Sequence, residues 1–166
     1  TEKQKGRNHA EVGEICSQIA WILSSQGNYS EAMEYYQRAE KIIQKEKGQK
    51  SEEYALVLNK KAETLRKQGK LLEAEPLFDQ SYQILSYSLG VSHPDTIISL
   101  NNLAVCRRMQ GRYQEAQALY RNAIENPKKA KQHDLESTRT IKKNYAVFLM
   151  EMEQYDTAEK LLTASL

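Results

Sequence analysis

The stretch that decides the fold is GRYQEA at residues 111–116, because variants of it recur at a constant step. GNYSEA stands at 27–32, GKLLEA at 69–74 and a worn copy, EQYDTA, at 153–158; the starts at 27, 69, 111 and 153 are 42 residues apart each time. A period between about 20 and 50 residues marks stacked repeats, each of which buries its apolar face against its neighbours. Six of the seven glycines, at 6, 27, 48, 69, 90 and 111, lie on a grid of 21, half the repeat, and only Gly13 is off it. A glycine past a helical stretch supplies the left-handed conformation that ends it. Each unit therefore reads as two helices closed by glycine.

The segments between glycines carry a helical period. Val12, Ile15, Cys16, Ile19, Ala20 and Leu23 fall on one face of the first, and Ala32, Tyr35, Tyr36, Ala39, Ile42 and Ile43 on one face of its partner. SHPD at 92–95 sets Ser92 three residues before Asp95, which predicts a helix start capped by Ser92 with proline in the first turn. No alternating strand pattern competes, so the class is all-α. Aligned at the 42-residue step, Ala20, Ala62, Ala104 and Ala146 share one column, and Ala32, Ala74, Ala116 and Ala158 another. Tyr36, Phe78, Tyr120 and Leu162 form a column of large residues, and Ala39, Ser81, Ala123 and Ser165 a small one. Small against large at fixed positions is the pattern of a packed helical hairpin.

Composition narrows the function. Hydrophobic residues at 40% and charged residues at 28% of the 166 are too apolar for disorder. No apolar run approaches the roughly 18–20 residues of a membrane span, and the polar start TEKQKGRNHAEVGE is not a leader peptide. The expectation is an intracellular, cytoplasmic chain, or one from which a leader has been removed. A net charge of +2 is too mild to imply a nucleic-acid or membrane partner. Cys16 and Cys106, with no CxxC partner, are expected as small buried apolar side chains.

With the columns in place, A-x6-G-x-Y-x-E-A-x3-Y-x2-A resembles a tetratricopeptide repeat, whose usual length is about 34 residues. The longer version here resembles the kinesin light chain type, whose wording is nearly spelled out by HPDTIISLNNLAVCRRMQGRYQEAQALYRNAI at 93–124, with EAEPLF at 73–78 matching in the unit before. The resemblance implies a right-handed superhelical solenoid of about four helix-turn-helix hairpins, at about 8–48, 50–90, 92–132 and 134–166, the last incomplete. Two departures stand out. Arg107 replaces the apolar residue the family places on the packed side, where Leu23, Leu65 and Leu149 keep the rule. Pro127 interrupts the second helix of the third unit, so NPKKAKQHD at 126–134 is expected as a loop or kinked continuation.

Catalytic signatures are missing from the sequence. His9, His93 and His133 fall near ends or turns, and no HExxH, GxGxxG or GxxxxGK[ST] occurs, so no enzyme, metal or cofactor is expected. RNA reading by repeats needs base-reading columns and a strong basic stripe, which +2 does not supply. The resemblance implies instead a non-catalytic protein-interaction module of an adaptor or scaffold, holding a peptide in the groove lined by the first helix of each unit. The inner positions it implies are Glu14, Ser17, Trp21, Ser24 and Ser25; Leu56, Asn59, Glu63, Arg66 and Lys67; Ile98, Asn101, Val105, Arg108 and Met109; and Thr140, Lys143, Val147, Met150 and Glu151. Asn59 and Asn101 share a column, and Asn101-Asn102 matches the family's backbone-clamping pair; these side chains are expected to bind without supporting the fold. Arg66, Lys67, Arg108 and Lys143 outnumber three acids on this face, leaning toward an acidic peptide. Trp21 reads equally as a peptide contact or as packing for a preceding helix. The competing class is a self-associating, architectural array with no peptide ligand, a homo-oligomer through open ends. Gly6 on the grid, and Leu161, Leu162 and Leu166 with nothing after them to cover them, imply an excerpt of a longer array.

Overall fold

The computed structural model describes residues 2–125 and 135–163, all of whose regular structure is helical. The helices are α1 (Glu2–Ser25), α2 (Tyr29–Lys47), α3 (Glu52–Lys67), α4 (Leu71–Ser88), α5 (Pro94–Met109), α6 (Tyr113–Glu125), α7 (Leu135–Glu151) and α8 (Tyr155–Thr163). They form two compact units, Thr1–Ser88 and Leu89–Leu166. Within each unit consecutive helices pair as hairpins, α1–α2 and α3–α4 in the first, α5–α6 and α7–α8 in the second. Pro127, His133 and the rest of 126–134 lie outside the described residues, as do Ser165 and Leu166.

The turn inside every hairpin is the same. Asn28 N–H donates to the Leu23 carbonyl (2.9 Å), Lys70 to Leu65 (2.9 Å), Arg112 to Arg107 (3.0 Å) and Gln154 to Leu149 (2.8 Å). This six-to-one bond closes a helix through one left-handed residue. Gly27, Gly69 and Gly111 supply it at φ 85°, 77° and 78°, whereas the fourth turn uses Glu153 at φ 58°. Gly6 departs from the grid expectation, for it lies inside α1 rather than at a helix end. The start of α5 also differs: His93, not Ser92, is the cap, its Nδ1 accepting from Asp95 N–H at 3.2 Å with Pro94 in the first turn. Imidazole reaches the second amide from the cap, and proline removes the donor between them. At α3 a serine does the same work, Ser51 Oγ accepting from Tyr54 N–H at 3.2 Å.

Side-chain size at the hairpin contacts follows the columns. All eight alanines of the two small columns are buried, and so are Tyr36, Phe78 and Tyr120 beside them. Ser81 sits among its alanine equivalents by donating its hydroxyl to the Ala55 carbonyl at 2.8 Å, which satisfies a buried polar group. Leu162 breaks the large column and stays 46% exposed. The single apolar face expected of α1 is also corrected. Cys16 and Ala20 are buried, but Val12 and Ile15 are 40% and 53% exposed, and the helix instead buries Ala10, Gly13, Ser17 and Ser24. Gly13 explains the shift: a Cβ there would stand 2.7 Å from Ile43 Cγ1, so α1 meets α2 along glycine. Arg107 is tolerated at its packed position because its guanidinium reaches across the hairpin to Glu115 at 2.7 Å.

In the first unit α3 lies on the α1–α2 hairpin. Tyr54 Oη and Lys61 Nζ both donate to the Glu40 carboxylate (3.2 and 2.7 Å), and Thr64 Oγ1 bonds Ser24 Oγ at 2.8 Å. In the second, α7 lies on α5–α6, with Tyr145 stacked on Tyr120 at 5.4 Å between ring centres and Phe148 5.8 Å from the same ring. Offset aromatic pairs of this kind add about 0.5–1.5 kcal/mol beyond area burial.

Candidate functional site

Because α1 contacts α3 and α5 contacts α7, each unit presents a surface built from two first helices. On the α1–α3 surface Trp21 is 37% exposed, and Lys67 Nζ stands 4.6 Å above the centre of its ring. Such a cation–π contact contributes about 0.5–1 kcal/mol where water reaches it. Glu63, one turn back on α3, is shared by Arg66 (3.9 Å) and Lys67 (3.8 Å), so the basic pair is partly neutralised from within its own helix. Asn59 is half-buried on the same helix. Toward the N-terminal end of α3 a cleft of about 260 Å³ opens between the two helices, with Ile43, Leu56 and Val57 as its apolar wall and Glu14, Ser17 and Lys60 as its polar one.

The α5–α7 surface places the asparagines differently from expectation. Asn101 is buried and its Oδ1 accepts from Asn144 Nδ2 at 3.1 Å, so this amide ties α5 to α7 and does support the fold. Asn102 and Val105 are half-buried, and Lys143 is exposed. Arg108 crosses from α5 to Glu151 at the end of α7, Nη1 to Oε1 2.5 Å. Ile98, Met109 and Val147 leave apolar side chains in water on these first helices. Sequence reasoning missed Lys60 and Asn144. They share a column with Asn102, one position beyond the column read as the inner wall, so the two adjacent columns together face the neighbouring helix.

A second cleft, of about 400 Å³, lies at the hairpin turns of the second unit, between Tyr113, Glu115 and Met152. Glu115 there is held by Arg112 (2.7 Å) and Arg107 (2.7 Å). The hydrogen bond from Arg112, joined by the charges of both arginines, lowers the Glu115 carboxyl below its ordinary pKa. Among the described residues no group of three or more His, Cys, Asp or Glu side chains is placed to hold a metal. Both cysteines are buried and neither forms a disulfide.

Paired helices with small-residue contacts, repeated at one step, define a helical-repeat fold. Models of the tetratricopeptide repeat match residues 13–46 and 53–129, and the chain belongs to that family. No curated protein sequence matches it. Among solved structures it is similar to BtubC (BKLC) from P. vanneervenii, with TM-score 0.81 and 19% identity over 92% of this chain and 61% of that one. It is also similar to a kinesin-light-chain-type protein of Podosopora anserina built of nearly identical TPR-like repeats, with TM-score 0.80 and 20% identity over 95% of this chain and 74% of that one. A point variant of that protein gives TM-score 0.80 and 21% identity over the same shares. The chain thus spans about three fifths of the first of these proteins. These likenesses are of fold, a TPR-like helical solenoid of about four hairpins. No helix among the described residues is long and apolar enough to cross a membrane.

Proposed function

We propose that this chain is a non-catalytic protein-interaction module of the kinesin light chain repeat type, holding a partner peptide against the first-helix surfaces of its hairpins. The 42-residue step and the likeness to the Podosopora anserina repeats support the repeat type. The observation that carries the binding role is Trp21: an indole more than a third exposed on the α1–α3 surface, with the Lys67 ammonium over its ring. An aromatic ring with an ammonium at its face suits a peptide that brings apolar and acidic side chains together. Asn59, Asn102 and Val105 serve as further peptide contacts, Arg108 and Lys143 as partners for carboxylates, and Asn101 through whatever part of its amide the Asn144 bond leaves available.

Trp21 is the single tryptophan, so its fluorescence reports the α1–α3 surface directly. Titration with a pool of acidic peptides is expected to shift its emission. Lys67→Ala and Asn59→Ala should each weaken a selected peptide by about 1–3 kcal/mol, beyond whatever each costs the fold, which unfolding of the free variants measures separately. A pool that leaves the emission still, or a selected peptide indifferent to both substitutions, overturns the assignment.

A further inference from the structure

The 42-residue period makes the contact between first helices comparable in the two units, position by position. In the second unit Asn101 on α5 and Asn144 on α7 close that contact with a carboxamide hydrogen bond of 3.1 Å. Two steps of 42 residues earlier stand Ser17 on α1 and Lys60 on α3. This pair does not close. Ser17 is 3% exposed and its hydroxyl has no hydrogen-bond partner. Lys60 is half-buried, with its ammonium in no ion pair among the described residues. Both line the cleft of about 260 Å³ between α1 and α3. Where the second unit has an amide of its own, the first has open space between two hydrogen-bonding groups. A buried polar group left unpaired costs stability and calls for a reason.

The chemistry of the lining selects an occupant. The Lys60 ammonium can only donate, and the Ser17 hydroxyl can donate as well as accept, so the group between them must bring an acceptor oxygen. Glu14 and Glu53 line the same cleft, the second held by Lys47 at 3.0 Å. One ammonium thus stands against two carboxylates on the lining, and an anionic oxygen gains no net attraction there. A cationic group would leave Lys60 unanswered. A carboxamide meets every condition: its carbonyl accepts from Lys60 and Ser17 while its NH2 donates to Glu14. Ile43, Leu56 and Val57 give its methylene stem an apolar wall.

We infer that this cleft is a specificity pocket for a glutamine or asparagine side chain of the bound peptide. The ligand's carbonyl oxygen takes the part of Asn101 Oδ1, and Lys60 Nζ that of Asn144 Nδ2. The inference rests on the peptide-binding reading above and adds to it a neutral residue beside the acidic ones. Ser17 and Trp21 are one turn apart on α1, about 6 Å along the helix, close to the roughly 7 Å between alternate residues of an extended chain. The amide and the residue that meets Trp21 are therefore two apart in the peptide.

Trp21 emission reads the test. Acidic peptides carrying Z-Ala-Leu-Glu, and a second set in the reverse order, are titrated with Z as glutamine, glutamate or leucine. In one of the two orders the glutamine peptide should bind about tenfold tighter than the other two. Ser17→Ala should erase that preference while binding stays sensitive to Lys67→Ala. Because it removes an unpartnered hydroxyl, the free variant should unfold at no lower urea concentration than the parent. Ser17→Asn should erase the preference too, by offering Lys60 an amide as Asn101 does Asn144. Binding that depends on Lys67 but ranks the three peptides alike, or a glutamine preference that survives Ser17→Ala, overturns this inference and leaves the peptide-binding reading standing. A loss of stability in Ser17→Ala overturns it as well, since the hydroxyl would then serve the fold. If no peptide of either set moves the emission, both fall.

Discussion

Glu153→Gly should stabilise the second unit, a gain that comes from the backbone alone. Glu153 stands on the 21-residue glycine grid, 42 residues beyond Gly111, and adopts φ 58° in a turn whose hydrogen bonds copy those of Gly111. Its side chain is exposed, so the main cost it carries is the left-handed conformation, about 1–2 kcal/mol for a residue with a Cβ. Glycine removes that cost but adds unfolded-state entropy of about 0.5–1 kcal/mol, leaving a gain near 1 kcal/mol. The reciprocal change, Gly111→Ala, isolates the same quantity with opposite sign, because a Cβ at Gly111 meets nothing within 4 Å. Repeat arrays can unfold in parts, so the assay is hydrogen exchange across α7 and α8 together with urea unfolding followed by circular dichroism. For a unit of this size, 1 kcal/mol corresponds to about 4–8 °C in melting temperature. A neutral or destabilising Glu153→Gly beside a costly Gly111→Ala would refute the reasoning, since both turns would then not share one backbone requirement.

Ala104→Leu should cost about 1–3 kcal/mol by prising α5 from α6, read by urea unfolding; a variant as stable as the parent would mean the helix contact is misplaced. Gly13→Ala gains about 1 kcal/mol of helix propensity but drives a Cβ to 2.7 Å from Ile43 Cγ1, on a side chain stiff at χ1, and should lower the melting temperature; a rise would show that α1 and α2 can part at no cost. Glu115 should titrate below the ordinary glutamate range by NMR and move back up in Arg112→Ala. Since its folded-state pKa is depressed, its contribution to stability is present above the unfolded value and fades as pH falls through the folded one; an unchanged titration in Arg112→Ala would remove Arg112 as the cause.

The hairpins, their turns and their small-residue contacts were legible in the sequence because each rests on a requirement that one residue answers. A left-handed turn selects glycine at 27, 69 and 111, and a close helix contact selects alanine at 20, 62, 104 and 146, whatever surrounds them. Repetition then separates these requirements from chance. What only the tertiary structure decided is which neighbour each helix face meets. A first helix in this architecture touches both its hairpin partner and an adjacent hairpin, so α1 is apolar on two sides and its period cannot say which is covered; the structure buries Gly13, Ser17 and Ser24 and leaves Val12 and Ile15 exposed. The same limit hid the burial of Asn101, whose partner Asn144 lies 43 residues away on another helix. Glu153 shows the two levels meeting: the hairpin's hydrogen bonds impose a positive φ on a residue that would not choose it, because the turn is held by both helices it joins.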